Sequence, residues 1–482
     1  MSEGERAPSA IGTNLPLLAF LVLFEGSLAA LLLALYKRAG APWPEFLQRP
    51  AGVVLVLAGI GILLPGSLII REYRRHRPSP RSFHFTLVLN LLTVALAFLA
   101  AESLVRVFAV TTPDGVTVRG RALVPQHSWE RFAARELALI RRFAPGGVWS
   151  SSYLVPDDSL GWTVGPGRQS KDGLYLSSEE GVRSASRGVK LGGPTTRTRI
   201  ALLGDSYTFG REVSFEDTWA HRLELGMGPD YQVLNFGVDG YGVDQAYLRY
   251  ERDVRPWKPA IVVLSVIEHD CYRTLTVYPA VSFPVWTVPF SKPRFVLQDG
   301  ALIMLNTPVP GPETVFRTPR IEDLPLLDYE AGYDPALWHE RFYHASYFVR
   351  FLLTAFPRSI HLKSGPCGSD ARVALNTALI REFGREVRKA GSLPLVVYLP
   401  SKTDFFSPAG REETLGILKA SGVPSVDLTS CVAEVDPSRR FLKFHYTPLA
   451  NQAVGRCMED AIRSAMRASG LAALNDQLRL SG

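Results

Sequence analysis

The chain is poor in cysteine, with four among 482 residues, at positions 271, 367, 431 and 457. Their spacing fits no zinc pattern, so a structural zinc module is excluded, and neither a metal nor another cofactor is called for. No nucleic-acid-binding motif and no internal repeat interrupts the sequence. Charge is missing from 51–70 and from 83–101, and 15–36 carries only Glu25. Each stretch is near the roughly 20 residues that a helix needs to cross about 30 Å of hydrocarbon, which predicts three membrane spans. A cleaved signal peptide is the poorer reading of the first stretch. Its apolar run is too long, and 1–14 holds one Arg against two Glu.

What charge there is sits unevenly. The formal net charge is +7, and between the second and third spans Arg71, Arg74, Arg75, Arg77 and Arg81 face only Glu72. That loop supplies more than half of the excess, so an anionic lipid surface suits it better than nucleic acid. Basic loops stay on the cytoplasmic side. The N-terminus is therefore expected inside, and everything beyond the third span outside. Glu25, beside Gly26 and Ser27, is read as a helix-packing residue, and Glu102 and Arg106, four apart, as a pair at the membrane edge. The expected organisation is a membrane domain over 1–110, a stalk over 111–152 with an amphipathic helix at 129–143, and an outer domain over 153–482.

All four cysteines fall in that outer part, where disulfides persist. A Cys431–Cys457 bridge is expected, because it would tie a loop to the helix after His445; buried free thiols are the alternative. The outer domain begins with a hairpin lobe over 153–197. Strand and helix then alternate, the pattern of a parallel sheet covered on both faces. Strands are predicted at 200–203, 232–236, 260–267, 393–398 and 425–428. Helices are predicted at 215–225, 244–253, 370–390, 411–420 and 448–469, with Asp244 as an N-cap and Pro448 in a first turn. The fold class is thus α/β: a three-layer α/β/α, flavodoxin-like sandwich with a five-stranded parallel sheet. An insertion over 273–368 is too long for a bare loop. It carries the hairpin signal Asp299-Gly300, and is read either as a roof over the site or as a stabilising appendage.

The candidate chemistry starts where the first core strand ends, at Gly204-Asp205-Ser206. Ligands of open α/β sheets bind beyond the carboxyl ends of the strands, so Ser206 would stand at the mouth of a site. A serine hydroxyl needs a base to take its proton, and an imidazole titrating near neutrality suits the task; His445 is the candidate. Trp162 and Tyr241 could stack on a sugar ring or simply pack in the lobe. Four blocks, Gly204-Asp205-Ser206, 235–240, 267–270 and 445–448, follow one another in the order of the SGNH, or GDSL, hydrolase superfamily, which the chain resembles over 198–469 without the insertion.

That resemblance implies a serine ester hydrolase without cofactor. Ser206 would be the nucleophile and His445 the general base, with Ser206, Gly240 and His269 as oxyanion donors. Two positions depart from the family pattern. His269 stands where the family has asparagine, and either it donates as a neutral imidazole or Glu268 or His269 turns into the core. Leu442 stands where the family's aspartate orients the histidine, and no carboxylate lies closer upstream than Asp436. Asp205 and Asp270 are read as capping or supporting groups. The lobe also resembles membrane-tethered bacterial members linked to cell-surface polysaccharide, which implies an extracytoplasmic enzyme of the bacterial inner membrane acting on an O-acetylated envelope glycan beside polysaccharide machinery. A polysaccharide O-acetyltransferase using the same residues, or a catalytically impaired glycan-binding scaffold, would carry the same blocks.

Overall fold

The computed structural model describes residues 80–469 apart from 113–114, 126–127, 148, 150–151, 284–287 and 356–366. The first two expected spans, Glu25 and most of the arginine-rich loop lie outside the described residues. The chain divides into two compact units, 1–132 with 334–361, and 133–333 with 362–482.

In the first unit the helix Pro80–Phe108 contains the third expected span. Phe85, Leu92, Leu96 and Leu99 on it are exposed. Taken over the described residues, no helix is long and apolar enough to cross a membrane. Glu102 pairs with Arg106 at 2.6 Å as expected, and it also accepts from the N–H groups of Tyr347 and Phe348 and from Ser346 Oγ. The carboxylate thereby caps the helix Tyr347–Ala355, a role its spacing from Arg106 does not reveal. The stretch read as a stalk is more structured than expected: Ala109–Thr112, Gly115–Val118 and Arg121–Ala122 form an antiparallel sheet. The helix Trp129–Phe143 has the predicted bounds and runs from the first unit, where Phe132 is buried, into the second, where Ile140 is buried.

The second unit is built on the predicted parallel sheet. Its core strands are Thr198–Leu203, Tyr231–Asn235, Ile261–Val266, Leu393–Tyr398 and Ser425–Asp427. Numbered along the chain, they lie in the order 2-1-3-4-5, all parallel. Two short antiparallel lobe strands, Leu176–Ser177 and Arg183–Ser184, extend the edge through Arg183 opposite Asn235, which makes seven strands in all.

Alternation along the strands sends side chains to two separate cores. Ala201, Leu203, Val262, Leu264, Val396 and Tyr398 pack under the helices Val243–Arg249, Ser369–Lys389 and Ala409–Ser421. Ile200, Leu202, Ile261, Val263, Leu395 and Val397 pack under Trp219–Met227 and Pro448–Ala468. Burial on both faces explains the continuous apolar runs in the sequence, each buried branched side chain contributing about 1.5–3 kcal/mol.

One local expectation needs correction, and others are decided. Asp244 is not an N-cap; Gly242 holds that position. Asp244 lies wholly buried inside the helix, where it meets Lys292. Trp162 and Tyr241 are 0% and 1% exposed, so neither face is open to a sugar. The predicted hairpin forms at Arg294–Gln298 and Ala301–Leu305. Phe295 carries it against Tyr247 and into the core beneath the helix Ser369–Lys389, as an appendage would, and none of its described residues bonds to Ser206 or His445. The expected Cys431–Cys457 bridge is present, and Cys271 and Cys367 are buried outside any disulfide.

Candidate active site

The first core strand runs into Gly204, whose φ is +150°. A Cβ there would fall 2.3 Å from Thr208 Oγ1 and 2.9 Å from Ser265 O, so only glycine lets the chain turn this tightly. Asp205 follows as the N-cap of the short helix Ser206–Phe209, its Oδ1 accepting from Tyr207 N–H at 2.8 Å. Ser206 is thereby presented at the carboxyl end of the sheet with its own N–H given to no acceptor among the described residues.

His445 arrives from the opposite end of the sequence. The loop before the helix Pro448–Ala468 closes on itself, with Leu442 N–H donating to His445 O at 2.8 Å and Thr447 capping the helix through Ala450 N–H. Tyr207 holds it from below. Its hydroxyl donates to Phe444 O at 2.9 Å, and its ring lies 5.0 Å from the imidazole. His445 Nε2 sits 2.9 Å from Ser206 Oγ. The candidate nucleophile and the candidate base therefore lie within hydrogen-bond distance.

The orienting carboxylate comes from a place the sequence reading missed. Glu212, six residues beyond the serine, puts Oε1 3.5 Å from His445 Nδ1. Its Oε2 accepts from the N–H groups of Phe444 and His445, each at 3.2 Å. Nδ1 is buried and has no closed hydrogen bond, so the contact is an ion-pair distance of the loose kind common in free enzymes. For Nε2 to accept the serine proton, the hydrogen must reside on Nδ1, facing the carboxylate. Leu442, where the family has aspartate, is exposed.

Electrostatics suit a base at neutral pH. Burial lowers the His445 pKa from its ordinary value, while the Asp205 and Glu212 charges oppose that shift. For Glu212, burial raises the pKa, but the two backbone N–H groups and the imidazole outweigh it, and the net shift is downward. The carboxylate is then charged while the imidazole is neutral.

The second block supplies the oxyanion candidate. Gly240 has φ +82°, and its N–H has no acceptor among the described residues. The residue before it is braced twice, by Trp162 Nε1–H donating to Asp239 O at 2.9 Å and by an Arg211–Asp239 ion pair. His269 follows the third core strand, in the helix Glu268–Arg273. Burial, with Arg273 beside it, pushes its pKa down to about 4, so the ring is a neutral single donor at pH 7. Beneath these loops Arg273 Nη1 bridges Asp205 Oδ2 at 3.0 Å, Asp270 Oδ1 at 2.6 Å and Tyr241 O at 3.0 Å. Asp270 Oδ2 accepts from Ile267 N–H at 3.0 Å. Asp205 and Asp270 thus cap and tie the loops together, as expected. Among the described residues no His, Cys, Asp and Glu group could hold a metal ion.

In site as well as in motif order, the chain resembles the SGNH, or GDSL, hydrolases. No protein-family model and no curated protein matches it. Solved structures do. A lipolytic protein of the G-D-S-L family from Desulfitobacterium hafniense is 13% identical, covering 55% of this chain and 99% of its own, with a TM-score of 0.28. A lipase/acylhydrolase from Enterococcus faecalis is 12% identical over 55% and 96%, with 0.29. An acetyl-xylooligosaccharide esterase variant from Geobacillus Stearmophilus is 12% identical over 55% and 94%, with 0.28. At such scores they add nothing to what the geometry says by itself.

Proposed function

We propose that the protein is a serine ester hydrolase whose machinery is Ser206, His445 and Glu212, with Ser206 N–H, Gly240 N–H and His269 receiving the oxyanion. The observation that carries this reading is the 2.9 Å contact between Ser206 Oγ and His445 Nε2, with Nδ1 turned to a carboxylate. His445 takes the serine proton as Oγ attacks the ester carbonyl. The charge that develops on the carbonyl oxygen falls to donors that no acceptor among the described residues occupies. His445 then protonates the leaving alcohol, and the same steps with water release the acid and free Oγ. Supplying a carboxylate for the histidine answers the strongest motive for an impaired scaffold.

The finer reading is a membrane-anchored, extracytoplasmic enzyme acting on an O-acetylated envelope glycan. Its supports are the three long apolar stretches, two of them uncharged and one carrying only Glu25, the exposed apolar residues of Pro80–Phe108, and a disulfide, which suits an oxidising compartment. An O-acetyltransferase would use the same residues, and ping-pong kinetics with a glycan acceptor would separate it from a hydrolase.

The first test is a fluorophosphonate probe on the full chain. Labelling at Ser206 that disappears in Ser206→Ala and weakens in His445→Ala is expected. A folded protein that takes no label and hydrolyses no short aryl ester refutes the enzyme. For topology, alkaline phosphatase fused after residue 112 should be active and fused within 71–79 inactive; the reverse pattern refutes the orientation.

A further inference from the structure

Glu212 is held in a conformation that its own residue type resists. Its φ is +72°, in the left-handed region where a side chain with a Cβ is strained. Such a residue persists only when its surroundings over-determine it. No regular element does so here, since the helix Ser206–Phe209 has already ended at Gly210. Among the described residues, the bonds to the backbone of residues 212 and 213 come from the hairpin lobe. Tyr175 Oη accepts Glu212 N–H at 3.0 Å, and Arg183 Nη2 donates to Val213 O at 3.0 Å. Arg183 is 2% exposed, with its guanidinium 4.6 Å from the Tyr175 ring and 4.7 Å from the Phe209 ring. Its strand is joined to the sheet edge beside Asn235. On the other side Trp162, also from the lobe, holds Asp239, the ion-pair partner of Arg211 next to Glu212.

From these contacts we infer that Tyr175 is a positioning residue for catalysis: with Arg183 it sets the backbone of Glu212 so that the carboxylate faces His445. The lobe is then a working part of the esterase and not a passive spacer. This rests on the Ser206, His445 and Glu212 reading above.

The test is a cycle of Tyr175→Phe, Glu212→Gln and the double variant in the full chain, with p-nitrophenyl acetate as the probe substrate. Tyr175→Phe keeps the ring that packs on Phe209 and Arg183 and removes only the acceptor. Its kcat should fall about three- to tenfold with KM nearly unchanged, and the acid limb of its pH–rate profile should move to lower pH, in the direction Glu212→Gln moves it. The double variant should be no slower than Glu212→Gln alone, since a residue acting through Glu212 has nothing left to position. A purely structural role would lower the melting temperature without moving the pH limb. If Glu212→Gln is impaired while Tyr175→Phe behaves as wild type, or if the two losses multiply, the positioning role is overturned and the triad stands. If Glu212→Gln is itself wild-type-like, the triad reading fails and this inference with it. Should Tyr175→Phe not fold, Arg183→Lys takes its place in the same cycle.

Discussion

Replacing Glu212 with glutamine is the sharpest perturbation available, because the amide keeps the size and can still accept from Phe444 and His445 N–H while losing the charge. The carboxylate serves the transition state by stabilising the imidazolium that forms as His445 takes the serine proton. At 3.5 Å, the attraction between two unit charges is about 1.2 kcal/mol at the permittivity of water and about 4.7 kcal/mol at an effective value of 20. The two side chains are 13% and 22% exposed, so solvent screens part of it, and about 2–3 kcal/mol is the reasoned figure. That corresponds to a loss of roughly 30- to 150-fold in kcat/KM at pH 7. The sign of the pH effect follows from the site. Activity needs neutral His445, so kcat/KM rises with pH through a pKa that burial holds below the ordinary value. Glu212 is one of the charges that raise that pKa, and removing it moves the acid limb to still lower pH. The histidine is therefore neutral at pH 7 in both proteins, and the loss there is not a protonation artefact. Hydrolysis of p-nitrophenyl acetate across pH 4–8 measures both quantities. A variant within about threefold of wild type, with an unmoved limb, would mean that nothing useful passes between Glu212 and His445.

Four further outcomes follow from the same coordinates. Gly240→Ala places a Cβ at φ +82°; it should cost about 1–2 kcal/mol of stability and, by shifting an oxyanion donor, about 10²-fold in kcat, which melting and steady-state kinetics separate. His269→Ala should lower kcat by about 10²-fold if its neutral ring donates to the oxyanion, and an unchanged kcat would return it to a packing role. Arg273→Met leaves Asp205 and Asp270 buried without their common cation and should destabilise the domain by about 3–5 kcal/mol in urea titration; a loss under about 1 kcal/mol would show that the acids find other partners. Replacing Cys431 and Cys457 by alanine opens a loop of 26-residue separation, worth about 3.5 kcal/mol of chain entropy, and should lower the melting temperature by roughly 10 °C.

The sheet was legible because its strands are covered on both faces, which leaves uninterrupted runs such as Ile200 to Leu203 bounded by Gly204. Ser206, Gly240 and His445 were legible because each sits where backbone geometry restricts the sequence, after a strand, in a positive-φ turn, or before a capped helix. Glu212 was not. It lies 233 positions from the histidine it serves, in no motif, and its orientation depends on Tyr175 and Arg183 in a lobe whose packing no local pattern specifies. The one available clue was proximity: a carboxylate just past the nucleophile's turn is confined to the neighbourhood of whatever base approaches that serine. Trp162 and Tyr241 were left open between two readings for the opposite reason. An aromatic residue has the same chemistry whether it offers a face to ligand or fills a core, and here Trp162 Nε1 and the Tyr241 hydroxyl are spent on Asp239 O and Trp162 O.

The cross-link between Cys431 and Cys457 encloses His445. A chain whose thiols are still reduced already owns its hydroxyl and its acid on one short turn, but carries the imidazole on a stretch held by packing and hydrogen bonds without a covalent tie. Oxidation adds a covalent tie to the segment that bears His445. On the proposed esterase reading, the base would gain that tie only where thiols are oxidised.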